Sequence, residues 1–399
     1  MDQFVSKDGK KLRLGYTTGT CAAAAAKAAA WMLLTGKKLD FISLTTPKGI
    51  RLELPVLETQ QNKDMVSCAI RKDSGDDPDI TDGALIFAAV TIREEPGILI
   101  DGGIGVGRVT KLGLDQPVGA AAINSVPRKM IRENLEEVCR TLDYQGGFSV
   151  IISVPDGEML AGRTFNPRLG ITGGISILGT SGIVEPMSEQ ALIDTIRLEL
   201  KQRRLSGAEF ALLTPGNYGK DFAVKHYGLP DELPVMTSNF IGDTLDLCKE
   251  MGFRDVLLIG HIGKLVKLAG GMLNTHSRYG DCRMEIMTAH AAAAGLPEKR
   301  SEEMLNCATC DDALRILQEE GLMRQTLERI MLRIAANLNC RTGGDPAVEV
   351  IMFSNVYGTI TETEGSEKLL PLRSGFSGSG ADQKKIIRCL SDVTRKQEG

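Results

Sequence analysis

The sequence predicts an α+β N-terminal domain followed by an α/β domain with a Rossmann-like parallel sheet. At 399 residues the chain is too long for one typical hydrophobic core. Strand patterns are grouped between two helical segments in its first part, whereas short apolar runs alternate with helical patterns from residue 148 onward. Several of these later runs end in small polar or glycine-rich loops. In an open parallel sheet such loops lie at the carboxyl ends of the strands, where ligands bind.

The first domain is expected over residues 1–145. Its first helix starts at a threonine cluster, continues through an alanine run at 22–30 and stops near Gly36. Residues 41–56 read as a hairpin around Pro47-Lys48-Gly49. The remaining patterns predict strands at 65–71, 84–93 and 97–101 and a helix from about Pro127 to Leu142.

The second domain is expected over residues 146–373, with a flexible tail at 374–399. Alternating strand and helix patterns favour a parallel sheet. Strands are predicted at 148–154, 175–178, 209–213, 235–237, 256–259 and 348–353. Helices are predicted at 188–204, 221–226, 244–251, 264–268, 277–294 (with a break), 301–320 and 322–337.

Composition narrows the functional class. The net charge of −4 gives no overall basic field, so nucleic acid is not an expected partner. Nine scattered cysteines in a chain of this length are typical of reduced thiols in the cytoplasm. No apolar run is long enough to span a membrane, and the N-terminus shows no cleavable signal. We expect a soluble cytoplasmic protein with no membrane partner.

Four loops between predicted strands and helices suggest one composite small-molecule site. They are GTSG (179–182), TPGNYG (214–219), SNFIGD (238–243) and GHIGK (260–264). In TPGNYG, Gly216 makes a tight turn, while Asn217 and Tyr218 present an amide and a flat ring. Asp243 can accept hydrogen bonds from ribose hydroxyls. The loop histidine His261 lies near further polar side chains in sequence, namely Lys264, Lys267, His276 and Arg278.

Two further clusters have alternative interpretations. At the start of the first helix, the hydroxyls of Thr17, Thr18 and Thr20 are expected to face outward, which suits an anion; the alternative is a well-capped surface helix. The five aspartates between residues 73 and 82 could bind a cation or ligand hydroxyls, or form a solvated acidic loop.

Other signatures are weak. The run DGGIGVGRVTK (101–111) resembles a nucleotide-binding loop, but no helix pattern follows it, so a glycine-rich turn is favoured. The pair Cys307 and Cys310 lacks the partners of a zinc site, and no metal site is expected. From the residues alone, the sequence indicates a small-molecule enzyme with a parallel sheet and an anionic ligand.

Longer strings of residues resemble the CbiD family of cobalt-precorrin-5B C(1)-methyltransferases. They include GYTTGTCAAAAAKAA (15–29), SGDDPDITDG (74–83), INSVPRKMI (123–131), NPRLGITGGISILGTSGIVEPMSE (166–189) and GHIGKLVKLAGGMLNTHSR (260–278), beside the loops above. The resemblance implies S-adenosylmethionine-dependent methylation of C1 of cobalt-precorrin-5B, giving cobalt-precorrin-6A in anaerobic cobalamin biosynthesis. Cobalt then enters only as part of the substrate. It also implies a fold other than the common tetrapyrrole methylase fold.

On this reading, His261 is the candidate base for a ring N–H proton. The adenosine of the cofactor is expected near TPGNYG and SNFIGD, and the macrocycle between the two domains against residues 17–20. Neighbouring pathway enzymes are expected to hand over the substrate. The cofactor-binding residues are then Gly179, Thr180, Gly216, Asn217, Tyr218 and Asp243. The substrate-binding residues are Thr17, Thr18, Gly19, Thr20, Lys264, Lys267, His276 and Arg278, with Arg128 and Arg168 as further donors to its carboxylates.

Two alternatives from other functional classes remain open at this stage. A corrinoid carrier would bind the tetrapyrrole without reacting and without binding S-adenosylmethionine. A nicotinamide-dependent reductase would need a glycine fingerprint that enters a helix, followed by an acidic residue about 20 positions later. The sequence lacks that arrangement.

Overall fold

The computed structural model describes residues 3–7 and 9–370, and it shows two compact units. The division falls between Ser188 and Glu189. Each unit has its own sheets, helices and buried apolar side chains. The fold is therefore mixed α/β, with parallel strand pairs in both units.

In its described residues, the first unit contains a five-stranded sheet, five two-stranded sheets and four helices. Its strands are β1 Phe4–Lys7, β2 Lys10–Arg13, β3 Gly15–Tyr16, β4 Phe41–Thr45, β5 Arg51–Pro55, β6 Leu57–Gln61, β7 Met65–Arg71, β8 Leu85–Arg93, β9 Ile98–Gly102, β10 Gly105–Val106, β11 Arg108–Val109, β12 Gly147–Ser153, β13 Ile171–Thr172, β14 Gly174–Ile175 and β15 Ile183–Val184. Its helices are α1 Thr18–Thr35, α2 Ser125–Thr141, α3 Gly157–Ala161 and α4 Asn166–Leu169.

Helix α1 forms the centre of the first unit, as its alanine run predicts. Thr17 caps its start by accepting from the Thr20 N–H, and Gly36 ends it in the left-handed conformation with φ 68°. Its alanines are buried and pack against α2 and against the strands β7 and β8. Small side chains on several faces allow this helix to be enclosed, which explains why it shows no polar stripe.

The five-stranded sheet of this unit has the order β6-β7-β8-β12-β9. It corrects the predicted domain boundary after residue 145, because β12 lies between β8 and β9 instead of opening a second domain. The glycine pair Gly146-Gly147 had the composition of a linker. In the structure a Cβ at Gly147 would overlap the Glu95 carbonyl, so this glycine serves close backbone packing.

Up to residue 370, the second unit contains one five-stranded sheet with helices around it. Its strands are β16 Phe210–Thr214, β17 Val235–Met236, β18 Asp255–His261, β19 Ala347–Ser354 and β20 Gly358–Glu362. Its helices are α5 Glu189–Leu205, α6 Asn217–Tyr227, α7 Ile241–Glu250, α8 Ile262–Ala269, α9 Arg283–Ala292, α10 Glu298–Leu305, α11 Cys310–Glu319, α12 Met323–Thr342 and α13 Ser366–Leu369, with a 3₁₀ turn at Ser277–Tyr279.

The sheet of the second unit has the order β17-β16-β18-β19-β20. The first four strands are mutually parallel, as predicted, and their nearly continuous apolar runs suit strands buried on both faces. Strand β20 was not predicted and pairs antiparallel with β19, so the sheet is mixed.

Three other sequence predictions differ from the structure. The predicted strand at 175–178 is only the two-residue β14, which pairs with β10 in the first unit. The helix predicted at 301–320 is two helices, because Thr309 caps a new start at α11 with a capping box. The short strands β1, β2 and β6 were not predicted.

The tail at 374–399 lies outside the described residues. Within the described part of the chain, no helix is long and apolar enough to cross a membrane.

Candidate functional site

The order of the parallel strands in the second unit defines a switch point. In the sheet, β16 lies between β17 and β18. The chain passes from β16 to β17 in one direction across the sheet, and from β18 to β19 in the other direction. The chain therefore leaves the carboxyl ends of β16 and β18 in opposite directions and opens a crevice between the two loops. These loops are TPGNYG, which leads into α6, and GHIGK, which leads into α8. The predicted loop clustering is confirmed for these two segments.

Lys264 connects the loops at this edge. Its Nζ donates to the Pro215 carbonyl at 2.5 Å and to the Ser238 carbonyl at 3.4 Å. The loops after β16, β17 and β18 thus meet at one ammonium group. Burial lowers the pKa of Lys264, and the charge of nearby Lys267 acts in the same direction.

The TPGNYG loop presents an open edge. Gly216 has φ 141°, and a Cβ placed there would meet only the Lys264 Nζ, at 3.8 Å. Helix α6 begins without a side-chain cap and without an acidic residue in its first turn. Asn217 is exposed, and Tyr218 is 71% exposed, with its ring centroid 6.4 Å from that of His261. Uncapped N–H groups and an exposed ring beside the switch point are available to a ligand.

His261 lies where β18 ends and caps the start of α8. Its Nδ1 accepts from the Gly263 N–H at 3.1 Å, whereas its Nε2 is buried and has no partner within the described residues. The ring meets Phe353 edge-on at 5.4 Å. Burial lowers the pKa of His261, and the charge of Asp311 opposes this shift.

The SNFIGD loop is fastened to the segment that follows α8. Thr275 donates its N–H to the Asn239 carbonyl at 3.0 Å, and Gly242 donates to the Leu273 carbonyl at 3.1 Å. Ser238 adopts φ 53°, a left-handed conformation that is uncommon outside glycine. Asp243 is half-buried in the first turn of α7. The geometry brings this loop to Lys264, while direct contact of Asp243 with a ribose stays a prediction.

Three residues predicted to bind substrate are occupied within the protein. Lys267 is buried and donates to the carbonyls of Thr275 at 3.2 Å and Gly280 at 3.1 Å. His276 accepts from the Arg278 N–H at 3.1 Å and caps the 3₁₀ turn. The guanidinium of Arg278 donates to Glu189 and to the Tyr279 hydroxyl. Lys267 in particular is a structural lysine.

The threonine cluster at the start of α1 does not face outward, which corrects the expectation from sequence. Thr17, Thr18 and Thr20 are all buried. The hydroxyl of Thr20 donates to the Gly182 carbonyl at 2.7 Å, and that of Thr18 donates to the Leu178 carbonyl at 3.2 Å. The Gly19 N–H is also bonded to the Leu178 carbonyl, at 3.0 Å. These groups order the segment at residues 176–182 and are not open to an anion.

The GTSG loop belongs to this same cluster in the first unit. It was expected at the edge of the parallel sheet with the other three loops, and this expectation is wrong. Gly179 has φ 139°, and a Cβ there would overlap the Thr17 hydroxyl. Glycine at this position allows the loop to pack on the helix start. The structure of the β16–β18 edge therefore gives no support to the prediction that Gly179 and Thr180 bind the cofactor.

Other charged candidates in the first unit are also satisfied internally. Arg128 donates to the carbonyls of Ile123 and Ile100, each at 2.8 Å. In the acidic loop, Asp73 pairs with Arg13, and Asp79 pairs with buried Lys72 at 2.6 Å. These two aspartates belong to internal ion pairs, an arrangement that was not among the alternatives considered from the sequence. No group of three or more His, Cys, Asp or Glu within the described ranges is placed to hold a metal ion.

Sequence reasoning missed two residues that act near His261. Asp311, at the start of α11, exerts its charge on the imidazole. Ser354, at the end of β19, donates to Asp311 at 2.6 Å. Asp311 is fifty positions from His261 in sequence and belongs to no motif, so only the fold brings these groups together.

A parallel sheet with a switch-point crevice, an exposed ring and a histidine whose buried Nε2 has no partner among the described residues are typical of small-molecule-binding α/β enzymes. The sequence matches the CbiD family over residues 5–186 and the CbiD C-terminal domain over residues 274–364. The chain belongs to the CbiD family.

Similar proteins from two bacteria carry the name cobalt-precorrin-5B C(1)-methyltransferase. That of Ruminiclostridium cellulolyticum is 52% identical over 89% of this chain and 92% of its own length. That of a Thermoanaerobacter species is 51% identical over 81% of this chain and 87% of its own. The crystal structure of the cobalamin biosynthesis protein CbiD from Archaeoglobus fulgidus is 29% identical, over 69% of this chain and 87% of that chain, with a TM-score of 0.38.

Proposed function

We propose that this protein is an S-adenosylmethionine-dependent methyltransferase that methylates C1 of cobalt-precorrin-5B in cobalamin biosynthesis. The observation that carries the proposal is 52% identity to a protein of that name over 89% of the chain. Cobalt enters as part of the tetrapyrrole substrate, which we propose is handed over by neighbouring enzymes of the pathway. The switch-point crevice is the site we propose for the cofactor.

The residues at the switch point fit an adenosine-bearing cofactor. Gly216 leaves the loop edge open, and Tyr218 offers an exposed ring face for a purine. The half-buried carboxylate of Asp243 suits ribose hydroxyls, and the Nε2 of His261 is a buried polar atom without a partner in the described residues. When bound, S-adenosylmethionine supplies an electrophilic methyl group.

We propose that the residues of the chain act mainly by positioning. Transfer of a methyl group to an electron-rich ring carbon needs in-line alignment more than an acid–base triad, and good alignment is worth roughly 7–11 kcal/mol. Lys264 supports alignment because it joins the TPGNYG and SNFIGD loops through two carbonyls. It also keeps a third N–H, which can serve a carboxylate of the substrate. The hydroxyls of Thr17, Thr18 and Thr20, in contrast, are hydrogen-bonded to other groups of the first unit within the described part of the chain.

The test is a methylation assay with purified protein, cobalt-precorrin-5B and S-adenosylmethionine that carries a ¹³C-labelled methyl group. We expect one methyl added per macrocycle, seen by mass spectrometry, and a ¹³C signal at C1. Tetrapyrrole binding without transfer would instead indicate a corrinoid carrier. Reduction that depends on a nicotinamide, with no transfer, would indicate a reductase.

A further inference from the structure

His261 is held in one protonation form by the turn it caps. Its Nδ1 accepts from the Gly263 N–H at 3.1 Å, so this nitrogen presents a lone pair. A Cβ on Gly263 would lie 3.2 Å from the same Nδ1, and glycine there leaves the imidazole room to approach the backbone. The neutral ring must therefore carry its proton on Nε2.

The Nε2–H of His261 has no acceptor within the described part of the chain. The atom is buried, with Phe353 meeting the ring edge-on at 5.4 Å and the ring of Tyr218 at 6.4 Å. A buried donor without an acceptor is costly, and such groups in native proteins call for an explanation. Here the donor lies beside the switch point, where a ligand can supply the acceptor.

We propose that the Nε2–H of His261 donates a hydrogen bond to an acceptor atom of the ligand at the switch point, and that His261 is a binding donor and not the base expected from sequence. This inference rests on the proposed function for the identity of the ligand. The acceptor is an oxygen or nitrogen of S-adenosylmethionine or a side-chain carboxylate of the tetrapyrrole. To accept a proton at Nε2, the ring would first have to move its own proton to Nδ1 and lose the bond from Gly263.

Burial supports the same assignment. It lowers the pKa of His261, whereas Asp311 is the facing carboxylate that raises it, and Lys264 lies one turn along α8. The net direction keeps the imidazole neutral near pH 7. A neutral imidazole is a donor through one nitrogen and an acceptor through the other, as the turn requires.

Two substitutions of His261 test the roles of its two ring nitrogens separately. In His261→Asn, the side-chain oxygen can keep the cap on Gly263, but no donor reaches the position of Nε2. In His261→Gln, the longer amide can place an N–H near that position while the cap is lost. Their kcat/KM and their affinity for each ligand are measured separately, and His226→Asn, at an exposed position in the last turn of α6, is the control.

We expect kcat/KM to fall roughly tenfold in His261→Asn and to recover to within about threefold of the wild type in His261→Gln. Weaker binding of S-adenosylmethionine in His261→Asn would assign the acceptor to the cofactor, and weaker binding of the tetrapyrrole would assign it to the substrate. The proposal is overturned if Gln is as inactive as Asn and the acid limb of the wild-type pH profile disappears in both, since that is the behaviour of a base. Wild-type activity in both variants would also overturn it.

The position of the proton on His261 can be measured without any enzyme activity. A failure of this inference is therefore distinguishable from a failure of the proposed function. Proton–nitrogen correlation spectra of protein with ¹⁵N-labelled histidine resolve the four histidines, and His261→Asn identifies the signal. At pH 7.5 and without ligand, we expect a proton on Nε2 and none on Nδ1. A proton on Nδ1 would overturn the inference even if the methylation assay succeeds.

Discussion

Two lysines three positions apart on one helix have different roles at the scale of single residues. Lys264 donates to carbonyls of two loops at the switch point, whereas Lys267 is buried and donates to the segment that follows the helix. Their spacing in sequence suggested one shared role in binding the carboxylates of the substrate. Side chains three positions apart share a helix face but lie one turn apart along the axis. Lys264 therefore reaches the loops beside the start of α8, whereas Lys267 reaches the segment that follows its end.

Lys264→Met is expected to weaken S-adenosylmethionine binding about tenfold, because the bonds to Pro215 and Ser238 are lost together. Calorimetric titration measures the change. The control is Lys225→Met, at an exposed position of α6, which should bind like the wild type. Equal affinity in all three proteins would show that Lys264 does not order the site.

Lys267→Met is expected to reduce stability by about 2 kcal/mol, because the carbonyls of Thr275 and Gly280 lose their donor. Urea unfolding followed by circular dichroism gives the difference. Unchanged stability together with a large rise in KM for the tetrapyrrole would return Lys267 to the substrate-binding group.

The lowered pKa values of two histidines predict how the free energy of unfolding depends on pH. Burial lowers the pKa of both His261 and His290 below the ordinary value, and Arg329 and Arg333 add to the shift of His290. The unfolded chain then binds more protons than the folded chain, so the stability that is present above about pH 6.5 is lost as the pH falls through the folded pKa values. In His261→Asn the slope between pH 7 and 5 should be shallower by up to about 1.4 kcal/mol per pH unit. Denaturant unfolding at a series of pH values tests this, and a slope equal to the wild type would contradict it.

At the scale of elements, the glycine-rich run after β9 is a packing feature. Gly105 has φ 71°, and a Cβ there would overlap the Val154 carbonyl, while Gly157 and Gly174 pack in turn against Gly105. The backbone at Gly105 therefore packs directly against the backbone at Val154, Gly157 and Gly174, and this close packing leaves no space for side chains. This explains a run that looks like a nucleotide-binding loop but leads into β10 and β11 and not into a helix.

Gly105→Ala should destabilise the protein by more than about 3 kcal/mol or prevent its folding, because the methyl group must displace backbone. Gly119→Ala is the matched control. It has a similar φ of 89° but nothing within 4 Å of the new methyl, and should lose only about 1 kcal/mol. Thermal unfolding compares the two variants. Equal losses would mean that backbone conformation, and not close packing, selects glycine at residue 105.

At the scale of the whole molecule, each unit is built on its own core. The largest cluster of the first unit surrounds α1, and that of the second unit surrounds the sheet and α12. The run of four mutually parallel strands and its switch point lie in the second unit. The three loops that meet at Lys264 in this crevice all lie in the second unit.

The fragment 189–399 is expected to fold cooperatively and to bind S-adenosylmethionine within about tenfold of the full chain, whereas 1–188 should not bind it. Circular dichroism melting establishes folding before the titration. Binding to a folded fragment 1–188, with none to 189–399, would place the cofactor outside the switch-point crevice. The proposed location would then be wrong, whatever the outcome of the methylation assay.

Sequence alone determined the main elements and the family. The first helix, the hairpin at 41–55 and the parallel strands of the second unit follow from local signals: caps, turn residues and apolar runs. These signals act over a few residues, so a sequence displays them directly. The family strings are equally local, and their order along the chain made the identification specific.

Only the tertiary structure decided which groups are free to act. It placed β12 inside the first sheet and buried the hydroxyls of residues 17–20. It also set Asp311 near His261 and left the Nε2 of His261 without a partner in the described residues. The physical reason is that a hydrogen-bond donor is available only if no distant carbonyl takes it. Those carbonyls come from segments far away in sequence, which no local pattern encodes.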